Sequence, residues 1–182
     1  MKPRAAFFLF APAGVPIYAH ATLPLGLALA SGFSFRPQFC AGLLAMILLH
    51  EAGHALLLHR YRLPVLGIVL HGFGGECQTV SWLSPWQQAV VAWGGVLAQF
   101  LLLLLVTSGA SLGLWPTGFL RSDFYATITA TNFLIAILNL LPLGGLDGRR
   151  AWPMFWLLFQ RARHGWLAPR NRRPSTPRSQ RR

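Results

Sequence analysis

Four stretches of this chain are long and apolar enough to cross a bilayer, which takes about 20 residues. They cover roughly residues 18–35, 37–58, 86–107 and 122–141, and Pro24 interrupts the first of them early. A fifth apolar run, 151–159, is too short to cross and contains Pro153; its tryptophans, Trp152 and Trp156, suit the membrane interface. Between the second and third stretches the pattern changes. Residues 63–70 are apolar and partly β-branched, His71-Gly72-Phe73-Gly74-Gly75 breaks the run, and 76–82 resumes it. That predicts a β-hairpin with a glycine-rich turn, lying at the inner interface beside the end of the second span. Near the N-terminus, Lys2 and Arg4 followed by an apolar run and Ala19-His20-Ala21 imitate a signal peptide, but Pro12, Gly14 and Pro16 make a poor helical core for one. Residues 7–17 are read instead as extended chain at the membrane surface. The predicted fold class is an all-α polytopic membrane protein with about four transmembrane helices, a membrane-associated β-hairpin and a short interfacial C-terminal helix.

Composition narrows the class further. The chain is 54% hydrophobic and only 11% charged, with a mean hydropathy of +0.47, whereas soluble domains carry about 25% charged residues. Its sixteen basic residues face four acids: Glu51, Glu76, Asp123 and Asp147. A soluble globular enzyme and a disordered chain are both excluded by this balance. With four spans, Lys2, Arg4, Arg60, Arg62, Arg149, Arg150 and eight arginines from 161 to 182 fall on one side, leaving Arg36 and Arg121 on the other. The positive-inside rule therefore puts the protein in the cell membrane as a multi-pass chain with both termini cytoplasmic. The chain divides into a membrane-embedded domain, 1–160, and a basic, disordered cytoplasmic tail, 161–182. The tail's Pro and Ser, with Trp166 as its only large aromatic, suit a solvated segment touching anionic lipid rather than nucleic acid. Cys40 and Cys77 form no disulfide framework and no CxxC site.

The chemistry sits in the second stretch. His50-Glu51-Ala52-Gly53-His54 is an HExxH pattern on a helix. Residues four apart share a helix face, so both imidazoles can turn to one metal ion, and Glu51, about 100° further round, can reach water on that ion. An acidic residue within a span costs about 2.5–3.5 kcal/mol on insertion scales, which favours a functional role over a buried accident. Two imidazoles, a further ligand and an open position suit zinc. Candidates for the third ligand are His20, His59, His71, Glu76, Asp123 and Asp147. Asp147 is the best placed: Pro142 and Gly144-Gly145 stop the fourth helix at its inner end and leave irregular backbone that can bend inward. Asn132 is read as an interhelical hydrogen bond, Gln99 as packing or channel lining, and Gly94-x-x-x-Ala98 as a close-packing stripe.

The pairing of His50-Glu51-Ala52-Gly53-His54 with Asn139…Pro142…Leu146-Asp147-Gly148 resembles the site-2 protease family of intramembrane zinc metalloproteases. The resemblance runs from the first span to about Arg150. It implies one zinc ion held by His50, His54 and Asp147, Glu51 as catalytic base, and Asn139 positioning substrate or stabilising the oxyanion. Gly72, Phe73, Gly74 and Gly75 resemble the turn of the family's membrane hairpin and are the expected substrate-binding residues. The sequence departs from the family pattern at Val96, Gln99 and Gly145, where Pro, Asn and Pro are common, and the length leaves no room for a PDZ-type insert.

The implied function is hydrolysis of a peptide bond in or near the transmembrane segment of a membrane protein. The partners are that substrate, the lipid bilayer and a regulatory membrane protein; nucleic acid is not among them. A transmembrane helix hides its peptide bonds in its own hydrogen bonds, so the substrate must unwind, and an edge of the 63–80 hairpin, at a residue such as Ile68, is the expected place to hold it. The competing class is a zinc-binding membrane protein without protease activity, a transporter or an inactive relative that binds partners.

Overall fold

The computed structural model describes residues 5–79 and 82–165. In chain order the elements are β1 (Ala6–Phe10), β2 (Ile17–His20), α1 (Leu23–Ala30), α2 (Pro37–Arg60), β3 (Gly67–His71), β4 (Gly74–Gln78), α3 (Pro85–Ser111), α4 (Thr117–Leu120), α5 (Asp123–Ala126), α6 (Asn132–Asn139), α7 (Gly148–Ala151) and α8 (Pro153–Gly165). The second and third apolar stretches become α2 and α3, about 36 and 40 Å long at 1.5 Å per residue. Each starts on a proline, whose missing N–H costs nothing in the first turn. A capping box between Ser84 and Gln87 closes the start of α3. Among the described residues, these two helices are long and apolar enough to cross a membrane.

The fourth stretch continues without a break through α5, a π-helical turn at Thr127–Thr131, and α6. The hydroxyls of Thr127 and Thr129 donate to the carbonyls of Asp123 and Tyr125, at 2.6 and 2.7 Å, flanking and entering the widened turn. At about 25 Å, this run is shorter than α2 or α3.

Two expectations change. The first stretch is not one spanning helix: residues 17–20 are strand β2 and α1 covers only eight residues, about 12 Å. Pro24 occupies the first turn of α1, and Gly32 and Phe33 turn to positive φ just beyond its end, so nothing extends it. Nor is the molecule all-α. The extended N-terminal segment supplies β1, and β1 and β2 join the predicted hairpin in a four-stranded sheet of order β1-β2-β3-β4. β1 and β2 are antiparallel, β2 and β3 parallel, and β3 and β4 antiparallel, with Val69 opposite Glu76 and His71 opposite Gly74. One face of the sheet packs Ile17, Ile68 and Leu70 against Leu23 and Leu27 of α1 and Leu44, Ile47 and Leu48 of α2. The short C-terminal helix forms as α8 and continues to Gly165, past residue 160; the rest of the basic tail lies outside the described residues.

Polarity is distributed inside out. His50, Glu51, His54, Gln99, Thr127 and Asn132 are buried, while Leu97, Leu101, Leu104 and Leu105 line an exposed stripe of α3 and Phe133, Leu134, Ile137 and Leu138 line one of α6. A surface this apolar is built to face hydrocarbon.

Candidate metal centre

Small residues bring the two long helices into contact where the histidines lie. Gly53 of α2 faces Gly94 of α3, and a side chain on either would run into the other's backbone carbonyl. One residue on, a Cβ at Gly95 would stand 2.6 Å from His50 Nε2 and from His54 Nε2. The missing side chain of Gly95 is therefore the space in which the two rings sit. That residue escaped the sequence reading, which treated the stripe as packing alone.

The rings converge. His50 Nε2 and His54 Nε2 are 3.1 Å apart, and Asp147 Oδ2 lies 2.8 Å from the first and 3.2 Å from the second. His54 Nδ1 bonds to the Val91 carbonyl at 2.7 Å; a carbonyl only accepts, so the proton is on Nδ1 and Nε2 offers a lone pair. His50 Nδ1 meets Gln99 Oε1 at 2.9 Å. Four ligands held tetrahedrally at about 2.0–2.1 Å stand about 3.3 Å from one another. The three separations, 2.8 to 3.2 Å, lie just under that spacing, so the three atoms can share one cation. Two imidazoles and a carboxylate suit zinc.

Asp147 is held by the backbone around it. After α6 the chain leaves the helix at Leu140–Leu146 and returns at α7. Trp152 Nε1 donates to the Leu140 carbonyl at 2.5 Å, Trp93 Nε1 donates to the Ala151 carbonyl at 3.1 Å, and Gly148 packs against the backbone of Leu140 and Leu141. A cavity of about 520 Å³ lined by Pro85, Gln88, Gly145, Asp147, Arg149 and Arg150 opens onto the carboxylate. The other candidate ligands lie elsewhere. His20 bonds Thr22, His71 bonds the Phe73 amide, Glu76 approaches Gln78, and Asp123 pairs with Arg36. His59 is in the last turn of α2.

Glu51 is buried beside the cluster, under strand β4: a Cβ at Gly75 would lie 2.6 Å from its Cγ and 2.8 Å from its Oε1. The neighbouring Cys77 thiol is pushed up to about 12, first by burial, then by the Glu51 and Glu76 carboxylates, so it stays a neutral thiol. The expected hairpin residues do not act as one group. Gly72 donates its N–H to Thr22 Oγ1 at 3.1 Å and packs on α1, Phe73 projects from the tip 95% exposed, Gly74 holds φ 136, and Gly75 covers Glu51. Asn139 is half-buried at the end of α6, and its side chain makes no hydrogen bond among the described residues.

The free edge of the sheet on this side is β4, not β3. Ile68, the residue expected on that edge, is in an inner strand and buried. Its N–H donates to Pro16 O on the β2 side. By alternation, Val69 faces β4, Glu76 faces back to β3, and the N–H and C=O of Gly75 and the C=O of Cys77 point out from the edge, while the Cys77 N–H donates to the Glu51 carboxylate.

Fold and cluster together define a class: apolar helices enclosing a buried two-histidine, one-aspartate cluster able to hold a metal ion, with a mixed sheet laid along one of them. In its fold the chain is similar to the solved structure of the site-2 protease from Methanocaldococcus jannaschii, with a TM-score of 0.65 over 89% of this chain and 74% of that one. The two are 22% identical in sequence, so the likeness establishes a site-2-protease-like fold. No protein-family model and no curated protein matches the sequence.

Proposed function

We propose that this protein is an intramembrane zinc metalloprotease. The observation that carries the reading is the convergence of His50, His54 and Asp147 on one point, with Glu51 buried beside them, inside helices whose exterior is apolar. His50, His54 and Asp147 hold the ion, which when bound supplies Lewis acidity for hydrolysis of an unreactive amide. Glu51 takes a proton from the attacking water and returns it to the leaving amine, as the water oxygen bonds to the carbonyl carbon and the C–N bond breaks. Asn139, at the bend that leads to Asp147, steadies the substrate carbonyl. Water reaches the centre through the cavity beside Asp147, whose two arginines suit the cytoplasmic side under the positive-inside rule.

The substrate is a single transmembrane segment of another protein, locally unwound. The outward N–H and C=O of Gly75 and the C=O of Cys77 offer it a strand to pair with, next to Glu51, and Gly72, Phe73 and Gly74 form the tip of that strand's hairpin. The catalytic unit is residues 1–160 in the cell membrane with the basic C-terminal end cytoplasmic, and a membrane partner supplies regulation.

The test reconstitutes the full chain in lipid vesicles with a single-span substrate. The wild type cleaves it. Glu51→Gln retains zinc and loses about 100- to 10,000-fold in rate, the usual contribution of a general base. Cleavage by Glu51→Gln at the wild-type rate overturns the proposal.

A further inference from the structure

A histidine can place its proton on either ring nitrogen, and only one choice leaves Nε2 free to bind a metal. For His54 the Val91 carbonyl makes that choice. For His50 the partner is the side-chain amide of Gln99, which can turn either end toward the ring. Something must therefore set the amide.

Asn132 does so. Its Nδ2 donates to the backbone carbonyl of Gln99 at 2.9 Å, and a backbone carbonyl only accepts. That fixes which end of Asn132 is nitrogen. Its Oδ1 then accepts from Gln99 Nε2 at 3.0 Å, which fixes which end of Gln99 is nitrogen. Gln99 Oε1 is left facing His50 Nδ1 and demands a proton there. Both amides are sealed from solvent, Gln99 at 1% and Asn132 at 0% exposure, so no water can substitute for either partner. The sequence of bonds runs from a backbone carbonyl of α3 through α6 and back through α3 to a ring on α2, each step permitting one orientation.

We infer that Gln99 and Asn132 are positioning residues for the metal centre: a two-amide relay that locks His50 in the tautomer whose Nε2 binds zinc. The inference rests on the metal-centre reading above and adds to it a role for two residues that touch neither ion nor substrate. Outer partners of this kind typically govern 10- to 100-fold in metal affinity.

The experiment uses the full chain in detergent and measures its zinc dissociation constant by competition with a chelating dye. Gln99→Met, close in size but without an acceptor, raises the constant about 10- to 100-fold, while Gln99→Glu, whose carboxylic acid form donates to Asn132 Oδ1 and keeps an acceptor opposite Nδ1, stays within about threefold of wild type. Asn132→Leu weakens zinc in the wild-type background but adds less than about twofold on top of Gln99→Met, because it acts through that amide. A second readout is independent of affinity. In the zinc-free protein, nitrogen-15 spectra of the histidine side chains place the His50 proton on Nδ1 in wild type and divide it between both nitrogens in Gln99→Met. Equal zinc binding by wild type and Gln99→Met, or equal weakening by Met and Glu, overturns the relay and leaves the metal centre standing. A wild type that binds no zinc overturns both.

Discussion

Asp123 and Asp147 are the same side chain meeting α2 at two depths. At the N-terminal end of α2, Asp123 makes two parallel bonds to Arg36, at 3.0 and 3.1 Å, with both side chains 45% exposed. Some twenty ångströms further along, Asp147 meets His50 and His54, with the three side chains 10–19% exposed. The first pair has ideal fork geometry, yet water competes for both partners, and exposed pairs contribute little. The second group is largely shielded from that competitor, and removing one member leaves the others buried and poorly satisfied. Depth, not bond length, separates a clamp at the rim from a site.

Three substitutions probe that difference, in descending order of effect. Gly95→Ala places a methyl group where the rings of His50 and His54 stand. It should cost about 1–3 kcal/mol of stability by overpacking and at least tenfold in zinc affinity, read by thermal unfolding and by dye competition. Retention of full zinc affinity means that the rings have room the packing does not show. Cys77→Pro removes the N–H that the free edge of β4 donates to Glu51 and leaves the β3–β4 ladder intact. One lost main-chain bond of about 1 kcal/mol should slow cleavage about fivefold with zinc retained, whereas Cys77→Ala, which keeps the N–H, stays near wild type. Equal rates for the two variants remove the Cys77 N–H from the positioning of Glu51. Asp123→Asn should leave zinc content and cleavage at wild-type levels, since the rim pair touches neither.

Much of this was legible along the chain because it depends on local pattern. HExxH within a 24-residue apolar helix, the Gly-rich hairpin turn, and the helix-stopping Pro142 with Asp147 beyond it are readable from spacing alone. What escaped depends on contacts between distant segments. Residues 18–35 carry enough apolar residues to span, and their division into β2 and α1 follows from pairing of Ile17, Tyr18 and Ala19 with Ile68, Val69 and Leu70, fifty residues away. Gly95 reads as one more small residue until α2 lies against it. Gln99 and Asn132 read as separate polar groups in two helices, and their meaning appears only when a third helix brings His50 to them. The doublet Gly94-Gly95 one turn before a buried glutamine was the available signal, and it needed the crossing geometry to interpret.

The account stands on the claim that Asp147 completes a metal centre with His50 and His54. The most direct measurement is zinc per chain in the purified full-length protein, wild type beside Asp147→Asn, with the helical content of both checked by circular dichroism. The account predicts one zinc per wild-type chain and a loss of most of it in Asp147→Asn at unchanged helicity. A wild-type chain without zinc, or an Asp147→Asn chain that holds it as tightly, contradicts the account.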